Sequence, residues 1–306
     1  MTSRSYAWFT ALIWNVCSFC SALVYKILTF LPLPHKRKKR QKPSQILLHT
    51  NSDNAHPITV IIPALNEAAA LSKTIAHLFS TYSLPTTFQC AEPTVIVVDA
   101  NSQDGTRSSI IPLLSSHPGI QILSHDFPSR GAQQNFGASQ SRSPILLFLH
   151  ADTLLPPSWD AIILSSLSFR TSPTVACFSL SLPHPISSSL RLMLFGANVR
   201  ARYCGLPYGD QAFSLMTETF EAVGGFPDVP IMEDVELLRR IRRINGCVHV
   251  LEDKVVTSAR RWIKKGVVWN TVFNQFLVLA WLCGVDPGTI YAWYYGAAAT
   301  RKGKSS

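Results

Sequence analysis

The sequence predicts an α/β fold: a mostly parallel sheet with helices on both of its faces. Three observations carry this. From residue 58 onward, short apolar runs alternate with stretches whose apolar residues recur at helical spacing, in the order β-α-β-α-β-α-β; parallel strands need such a crossover between them. The runs are apolar at consecutive rather than alternate positions, the pattern of strands covered on both faces. Carboxylates and amides stand just past the ends of the runs, where open α/β sheets place their ligands.

Ile58-Thr59-Val60-Ile61-Ile62-Pro63 is the first strand. Glu67 to Ser80 puts Leu71, Ile75, Leu78 and Phe79 on one helical face, with Asn66 as its N-cap. Thr94 to Val98 is the second strand, ending at Asp99, and Asp104-Gly105-Thr106 opens a helix that runs to Leu114. Ile120 to Leu123 is the third strand, Gly131 to Ser141 a helix, and Ile145 to Leu149 the fourth strand. Beyond it come a strand over Val175 to Leu182, an amphipathic helix over Ile186 to Arg202 and a short strand over Ala212 to Met216. Glu233 to Arg243 is a helix with acidic residues in its first turn and arginines at its end, matching the helix dipole, and Cys247 to Leu251 is a further strand. The less regular order of this half predicts a sheet that is mixed at one side. There is no internal repeat and no long low-complexity tract.

The chain has 306 residues, enough for one large domain with appendages, and a net charge of +10. The charge belongs to the flanks: Lys36, Arg37, Lys38, Lys39, Arg40 and Lys42 form one block, and Arg301, Lys302 and Lys304 a tail. The body between is nearly balanced, which fits contact with a membrane surface and argues against a nucleic-acid partner. The seven cysteines are irregularly spaced and give neither a zinc site nor a disulfide framework, so the body is expected in a reducing compartment.

Ala7 to Leu33 carries Lys26 as its one charge. A bilayer core needs about 20 apolar residues in a helix, and this stretch is long enough. A cleaved signal peptide is the rival reading, but no small-x-small cleavage site follows and the basic block comes after the segment. Only Arg4 precedes it, so the positive-inside rule predicts a single-pass anchor with the body facing the cytosol. Val267 to Cys283 is also apolar but is interrupted by Asn270, Thr271, Asn274 and Gln275. It reads as an amphipathic helix that lies on the membrane or packs on the body, with Lys264 and Lys265 ahead of it; a second span is the alternative. Tyr291, Trp293, Tyr294 and Tyr295 extend either role. The expected organisation is an anchor at 1–34, a basic linker at 35–56, a catalytic domain at 57–262, and membrane-associated helices with a basic tail at 263–306.

Four carboxylate-bearing turns follow or flank strand-like segments: Pro63-Ala64-Leu65-Asn66-Glu67, Asp99 through Thr106, His150-Ala151-Asp152-Thr153, and Met232-Glu233-Asp234. Singly, each has a bland reading. Asn66 caps a helix, Asp104-Gly105 is turn chemistry, Asp152 is an N-cap ahead of Pro156-Pro157, and Glu233-Asp234 serves the helix dipole. In order, and together with Arg130-Gly131-Ala132-Gln133-Gln134-Asn135-Phe136-Gly137-Ala138 and Gly224-Gly225-Phe226, the chain resembles the family-2 glycosyltransferases over Ile58 to Trp262. It looks closest to a subgroup with HADT in place of the family's Asp-x-Asp.

The resemblance implies the GT-A nucleotide-diphospho-sugar transferase fold and a set of roles. Pro63, Ala64, Asn66, Glu67, Asp104, Gln133, Asn135 and Ala151 would form the nucleotide-sugar pocket. Asp99 would meet the nucleoside and Arg130 the phosphates. Asp152 would bind Mn²⁺ or Mg²⁺ across the diphosphate, with His150 as a second ligand or as an orienting group; an imidazole accepts Mn²⁺ but suits Mg²⁺ poorly. Asp234, beside Glu233, would be the general base. Gly209 and Asp210 are assigned to the acceptor side, while Gly224 and Gly225 would let backbone approach donor or acceptor. Arg260-Arg261-Trp262 resembles a later family element whose arginine neutralises the leaving diphosphate; a basic strip with Lys264 and Lys265 is the alternative. The implied activity is metal-dependent, inverting transfer of a sugar from a nucleotide-sugar, expected to be a UDP-sugar, to a saccharide hydroxyl or a lipid-linked phosphate. A non-catalytic nucleotide-sugar-binding membrane protein and a sugar nucleotidyltransferase are the rivals. The latter class usually has a Gly-rich loop with Arg and Lys after the first strand, where this chain has Asn66-Glu67-Ala68-Ala69-Ala70.

Overall fold

The structure, a computed structural model, describes residues 56–83, 92–126 and 129–296. The expected anchor, almost all of the basic linker and the basic tail lie outside the described residues. Eight strands form one sheet: β1 (Ile58–Ala64), β2 (Thr94–Asp99), β3 (Ile120–Ser124), β4 (Ile145–Phe148), β5 (Thr153–Leu154), β6 (Thr174–Ser181), β7 (Phe213–Met216) and β8 (Cys247–Thr257). The helices are α1 (Leu71–Thr81), α2 (Thr106–Leu114), α3 (Arg130–Ser139), α4 (Trp159–Ser168), α5 (Ser188–Cys204), α6 (Thr217–Ala222), α7 (Glu233–Arg243), α8 (Arg260–Lys265), α9 (Val267–Leu282) and α10 (Pro287–Tyr295).

The strand order is β3-β2-β1-β4-β7-β6-β8-β5. The first four strands in the chain are mutually parallel, β7 is antiparallel to both its neighbours, and β6 and β8 are parallel again. The expected mixed side is therefore present, and the reversal at β7 matters for the site. Ile61 pairs with Phe148, and Phe148 with Phe213. The C-terminal ends of β1, β2 and β4 and the start of β7 thus share one edge of the sheet. Pro63 lies two residues beyond the last β1–β4 pair, so its missing N–H is withheld where that ladder has ended.

Alternate residues of the central strands feed two cores. Val60, Ile62, Val95 and Val97 pack with Leu71, Ile75 and Leu78 of α1 and Trp159 and Ile163 of α4. On the opposite face, Ile61, Leu146 and Phe148 pack with Val235 and Leu238 of α7 and with Leu277 and Val278 of α9. Both faces are covered, as the continuous apolar runs require.

Several expectations are corrected. The first helix begins at Leu71, not Glu67: the Glu67 carbonyl accepts from the N–H groups of Ala70 and Leu71, making a turn first. Asn66 is no N-cap; it stands in the left-handed region at φ 56° and its side chain turns to another loop. Asp152 caps no helix either, since the next one starts at Trp159. β8 runs on to Thr257, where it pairs with β5. Helices α4, α6 and α8 have no counterpart in the sequence reading; α4 carries its apolar residues without a clear stripe, and α6 and α8 are six residues each. Among the described residues no helix is long and apolar enough to cross a membrane, and α9 packs on the body.

Candidate active site

At the shared sheet edge, two loops are latched together by backbone N–H groups that would otherwise lack partners. After β1, the N–H of Asn66 donates to Ser102 Oγ (2.8 Å), that of Glu67 to Thr106 Oγ1 (2.9 Å) and that of Ala68 to Asp104 Oδ2 (3.0 Å). The Asn66 side chain returns the contact by accepting from the Gln103 N–H at 2.9 Å. Buried Asp99 anchors the latch by accepting from both the N–H and the hydroxyl of Ser102. The Thr106 hydroxyl beside Asp104 holds that carboxylate below its ordinary value. Left-handed residues make the sharp reversals possible: Asn66 and Asn101 at φ 56°, Gly105 at 83°.

This latch presents Glu67 toward the end of β4. Glu67 Oε2 and Asp152 Oδ2 accept from the same Arg260 nitrogen, Nη2, at 2.9 and 3.0 Å. Both carboxylates are 25% exposed and the arginine 56%, so the cluster faces solvent. The two hydrogen bonds raise the Arg260 guanidinium above its ordinary value. Two carboxylates sharing one cation at a strand-end cleft are a donor set that suits a hard divalent ion, which is commonly held by one or two carboxylates plus substrate phosphates.

A second group of charges lies deeper. A pocket is lined by Arg130, Gln134, Phe148, His150, Gly209, Glu233 and Asp234, with Phe213 and Phe226. Asp234, in the first turn of α7, accepts from the Gly209 N–H at 3.0 Å and from the Val235 N–H at 2.7 Å. Glu233 accepts from Arg130 Nη1 at 3.4 Å. Burial raises both carboxyls above their ordinary values, opposed by Arg130 for Glu233 and by the two backbone N–H groups for Asp234. Asp210 is pushed up to about 6 by burial, against the pull of Arg200. Arg200 is itself buried, with its guanidinium 3.6 Å from the Tyr208 ring centroid. Burial, then Arg130 and Arg261, depress His150 far below its ordinary value, so its imidazole is neutral. Its Nε2 and the Gln134 Oε1 are buried without a partner. A Cβ on Gly209 would lie 3.1 Å from that nitrogen, so a larger residue there would have to shift the ring by a few tenths of an ångström.

Residues 59–179 match the family model for glycosyl transferase family 2. Glycosyltransferase AglE of Haloferax volcanii is 32% identical over 103 residues, 33% of this chain. The match spans only 32% of that relative's length. Two solved structures share the fold, a GT-A-like α/β architecture, at 17% identity each. The mannosyltransferase PcManGT from Pyrobaculum calidifontis, in complex with GDP-Man and Mn²⁺, aligns over 97% of this chain and 87% of its own, TM-score 0.55. Glucosyl-3-phosphoglycerate synthase from Mycobacterium tuberculosis, in complex with Mn²⁺, UDP and glucosyl-3-phosphoglycerate, aligns over 83% and 88%, TM-score 0.53.

Within this fold the structure gathers some of the expected site residues and gives others different partners. Glu67, Asp152 and Arg260 meet at the outer cluster; Arg130, His150, Gly209, Glu233 and Asp234 meet at the inner pocket, with Asp210 beside them. His150 lines the inner pocket, while Asp152 accepts from Arg260 in the outer cluster. Among the described residues no three His, Cys, Asp or Glu side chains form a metal cluster. Gln133 is a strut: its Nε2 donates to the carbonyls of Ala64 (3.0 Å) and Val98 (2.7 Å) where β1 and β2 part. Asn135 exchanges two hydrogen bonds with the Phe226 backbone, at 3.0 and 2.9 Å. That explains Gly225, whose Cβ would stand 2.6 Å from Asn135 Oδ1; the close approach is to Asn135 and not to a ligand. The Gly224 carbonyl faces Arg240. Asp104 spends both oxygens on the latch, and the Ala151 carbonyl accepts from Thr74. Arg261 turns to the Tyr294 hydroxyl and Trp262 packs against the first core.

Ser102, Thr106 and Gln134 stand inside the motifs but the sequence reading gives them no role, and it does not single out Arg200 or Tyr208. Ser102 is an ordinary loop hydroxyl and Thr106 opens α2, and neither carries a local signal of its partner. Arg200 had one: a lone cation on the otherwise apolar side of a helix is expected to have a buried partner.

Proposed function

We propose that this protein is a membrane-anchored, metal-dependent, inverting glycosyltransferase that takes its sugar from a nucleotide-sugar, a UDP-sugar in the first instance, and that it belongs to a subgroup with HADT in place of Asp-x-Asp. One observation carries the reading: the sheet edge holds two different acidic groups, a solvent-facing Glu67/Asp152 pair that binds a cation, and a secluded Asp234 poised as a base. A donor diphosphate needs the first and an acceptor hydroxyl the second. Mn²⁺, Mg²⁺, UDP and the other nucleotides enter as proposals, supported by the Mn²⁺, UDP and GDP-Man of the structures that share the fold.

Asp152, with Glu67, would hold the metal, which supplies Lewis-acid stabilisation of charge on the departing diphosphate. Arg260 supplies a second cation at the same place. Its short helix, α8, ends at Gly266 (φ 82°), and a diphosphate competes with the two carboxylates for the guanidinium. Asp234 takes the proton of the acceptor hydroxyl as that oxygen bonds to the anomeric carbon. The carbon–oxygen bond to the diphosphate breaks, and the leaving group departs with the electron pair. Burial above the ordinary carboxylate range makes Asp234 a stronger base than an exposed carboxylate. A lipid phosphate, already anionic, would use the same donor end without that proton transfer. The anchor at 7–33 would keep the domain on the cytosolic side of a membrane.

The test is thermal unfolding of the detergent-solubilised full chain with UDP, GDP or CDP, each with Mn²⁺, Mg²⁺ or EDTA. A nucleotide at a hundred times its Kd adds about 2.7 kcal/mol of apparent stability. Metal-dependent stabilisation by UDP, absent in Asp152→Ala, is the expected result. Folded protein that responds to no nucleotide would overturn the proposal in favour of a non-catalytic role.

A further inference from the structure

Helix α9 buries polar residues beside its apolar Leu277, Val278 and Ala280, and exposes only apolar ones. Its polar residues Asn270, Thr271 and Gln275 are buried against the body and Asn274 is half-buried, while its exposed residues, Val268, Trp269, Phe276 and Leu279, are all apolar. A surface helix in water takes the opposite arrangement. The inward face is bought at a cost, because Asn270 Oδ1 and Gln275 Oε1 are buried without partners. The outward face is continuous. The Trp269 and Phe273 rings stack at 6.0 Å, Phe273 and Phe276 at 6.4 Å, and Phe276 meets Trp293 of α10 at 5.6 Å. Ile263 of α8, 73% exposed, stands ahead of the helix. Contiguous apolar surface of this kind marks a contact face.

We propose that this face lies on an anionic lipid bilayer. Charge argues for that occupant. From Arg261 to Val285 the chain has three cations, Arg261, Lys264 and Lys265, and no carboxylate. A second copy of the chain would bring the same cations to the contact, whereas anionic headgroups neutralise them. The tryptophans are suited to a headgroup boundary, having an apolar body and a polar tip. With 16 residues and no spanning window, α9 lies along the surface rather than through it.

The surface stands close to the inner pocket. Gln275 donates to the Tyr208 hydroxyl at 3.2 Å, and the next residue, Gly209, donates to Asp234. Arg261 reaches Tyr294 at 3.1 Å. Docking therefore holds the Asp234 end of the site at headgroup level. The docking face itself does not rest on the proposed activity.

Photo-crosslinking of the full chain tests this. Benzoylphenylalanine is placed at position 269, 276 or 293, or at exposed Ile111 on α2 as a control on another part of the fold. The protein is mixed with vesicles of phosphatidylcholine with or without phosphatidylserine, irradiated, and its adducts are mapped by mass spectrometry. The expected result is lipid adducts at 269, 276 and 293 well above those at 111. Combined Lys264→Glu and Lys265→Glu should lower the adduct yield on phosphatidylserine vesicles by about fivefold or more per charge. Adducts joining two copies, adducts to the chain's own residues 7–33, or lipid adducts no greater than at 111 would each overturn the proposal. Because no donor or acceptor is present, failure here leaves the nucleotide test untouched.

Discussion

The outer and inner ends of the site use the same residue types in opposite ways. At the outer end, Glu67 and Asp152 stay in contact with water and share the exposed Arg260. At the inner end, Glu233, Asp234 and Asp210 are raised above their ordinary values by burial, and the cations facing them, Arg130 and Arg200, only partly compensate. The difference fits the tasks proposed for the two ends. A carboxylate left in water remains an anion and can trade one cation for another at little cost. A carboxylate withdrawn from water holds a proton more readily, which is what a base needs. Neutral His150 belongs with the second group, since a charged imidazole there would add to Arg130 and Arg261.

The strongest way to break this comparison is to disable one end and examine the other. Asp234→Asn should lower kcat by about 10²–10⁴-fold and leave UDP affinity, measured calorimetrically, unchanged; a matching loss of nucleotide binding would show that the two ends are not separate. Asp152→Ala should do the reverse, removing the metal-dependent nucleotide stabilisation of about 2.7 kcal/mol at saturating ligand. Its unfolding without ligand should stay close to that of the native protein.

The supporting shell comes next in size. Gly225 has φ 66° and no room for a Cβ beside Asn135. Gly225→Ala should therefore cost about 1–3 kcal/mol in urea unfolding. The loop it belongs to is tied to α3, so kcat should fall as well.

Titration sharpens the comparison further. Burial makes the folded state disfavour ionised Asp210, whose value moves from 3.8 up to about 6. That penalty is absent below 3.8, grows through the interval and is complete above about 6. Asp210→Asn should thus melt above the native protein at neutral pH and lose its advantage as the pH falls through that window. The smallest effect belongs to Arg260→Ala: an exposed ion pair of this kind contributes about 0–1 kcal/mol to stability, so Tm should barely move while turnover drops.

Much of the frame was legible because it rests on local rules. The apolar runs at Ile58, Thr94, Ile120 and Ile145 became β1 to β4, and Glu233–Arg243 became α7 with the predicted limits. The four acidic turns were visible as residues that follow or flank those elements. Their partners were not. Ser102, Thr106 and Asp104 grip the 66–68 loop from more than 30 positions away, and nothing local in the sequence encodes such a contact. Gln133 and Asn135 had the chemistry of ligand contacts, and only packing shows that their hydrogen bonds go to backbone.

By itself, then, the sequence determined the alternation of elements, the family-2 glycosyltransferase resemblance and the apolar, basic character of the flanks, since each follows from short-range periodicity or composition. The tertiary structure decided which acids work together. Two residues of one turn, His150 and Asp152, meet different partners, while Gly209 and Asp234 were joined across 25 positions. The reversal at β7 did this by returning the chain to the edge where the parallel strands end. The same folding turned the polar side of α9 inward, an orientation that the spacing of Asn270, Thr271, Asn274 and Gln275 left open, because periodicity defines two faces of a helix and only packing chooses which one meets the core.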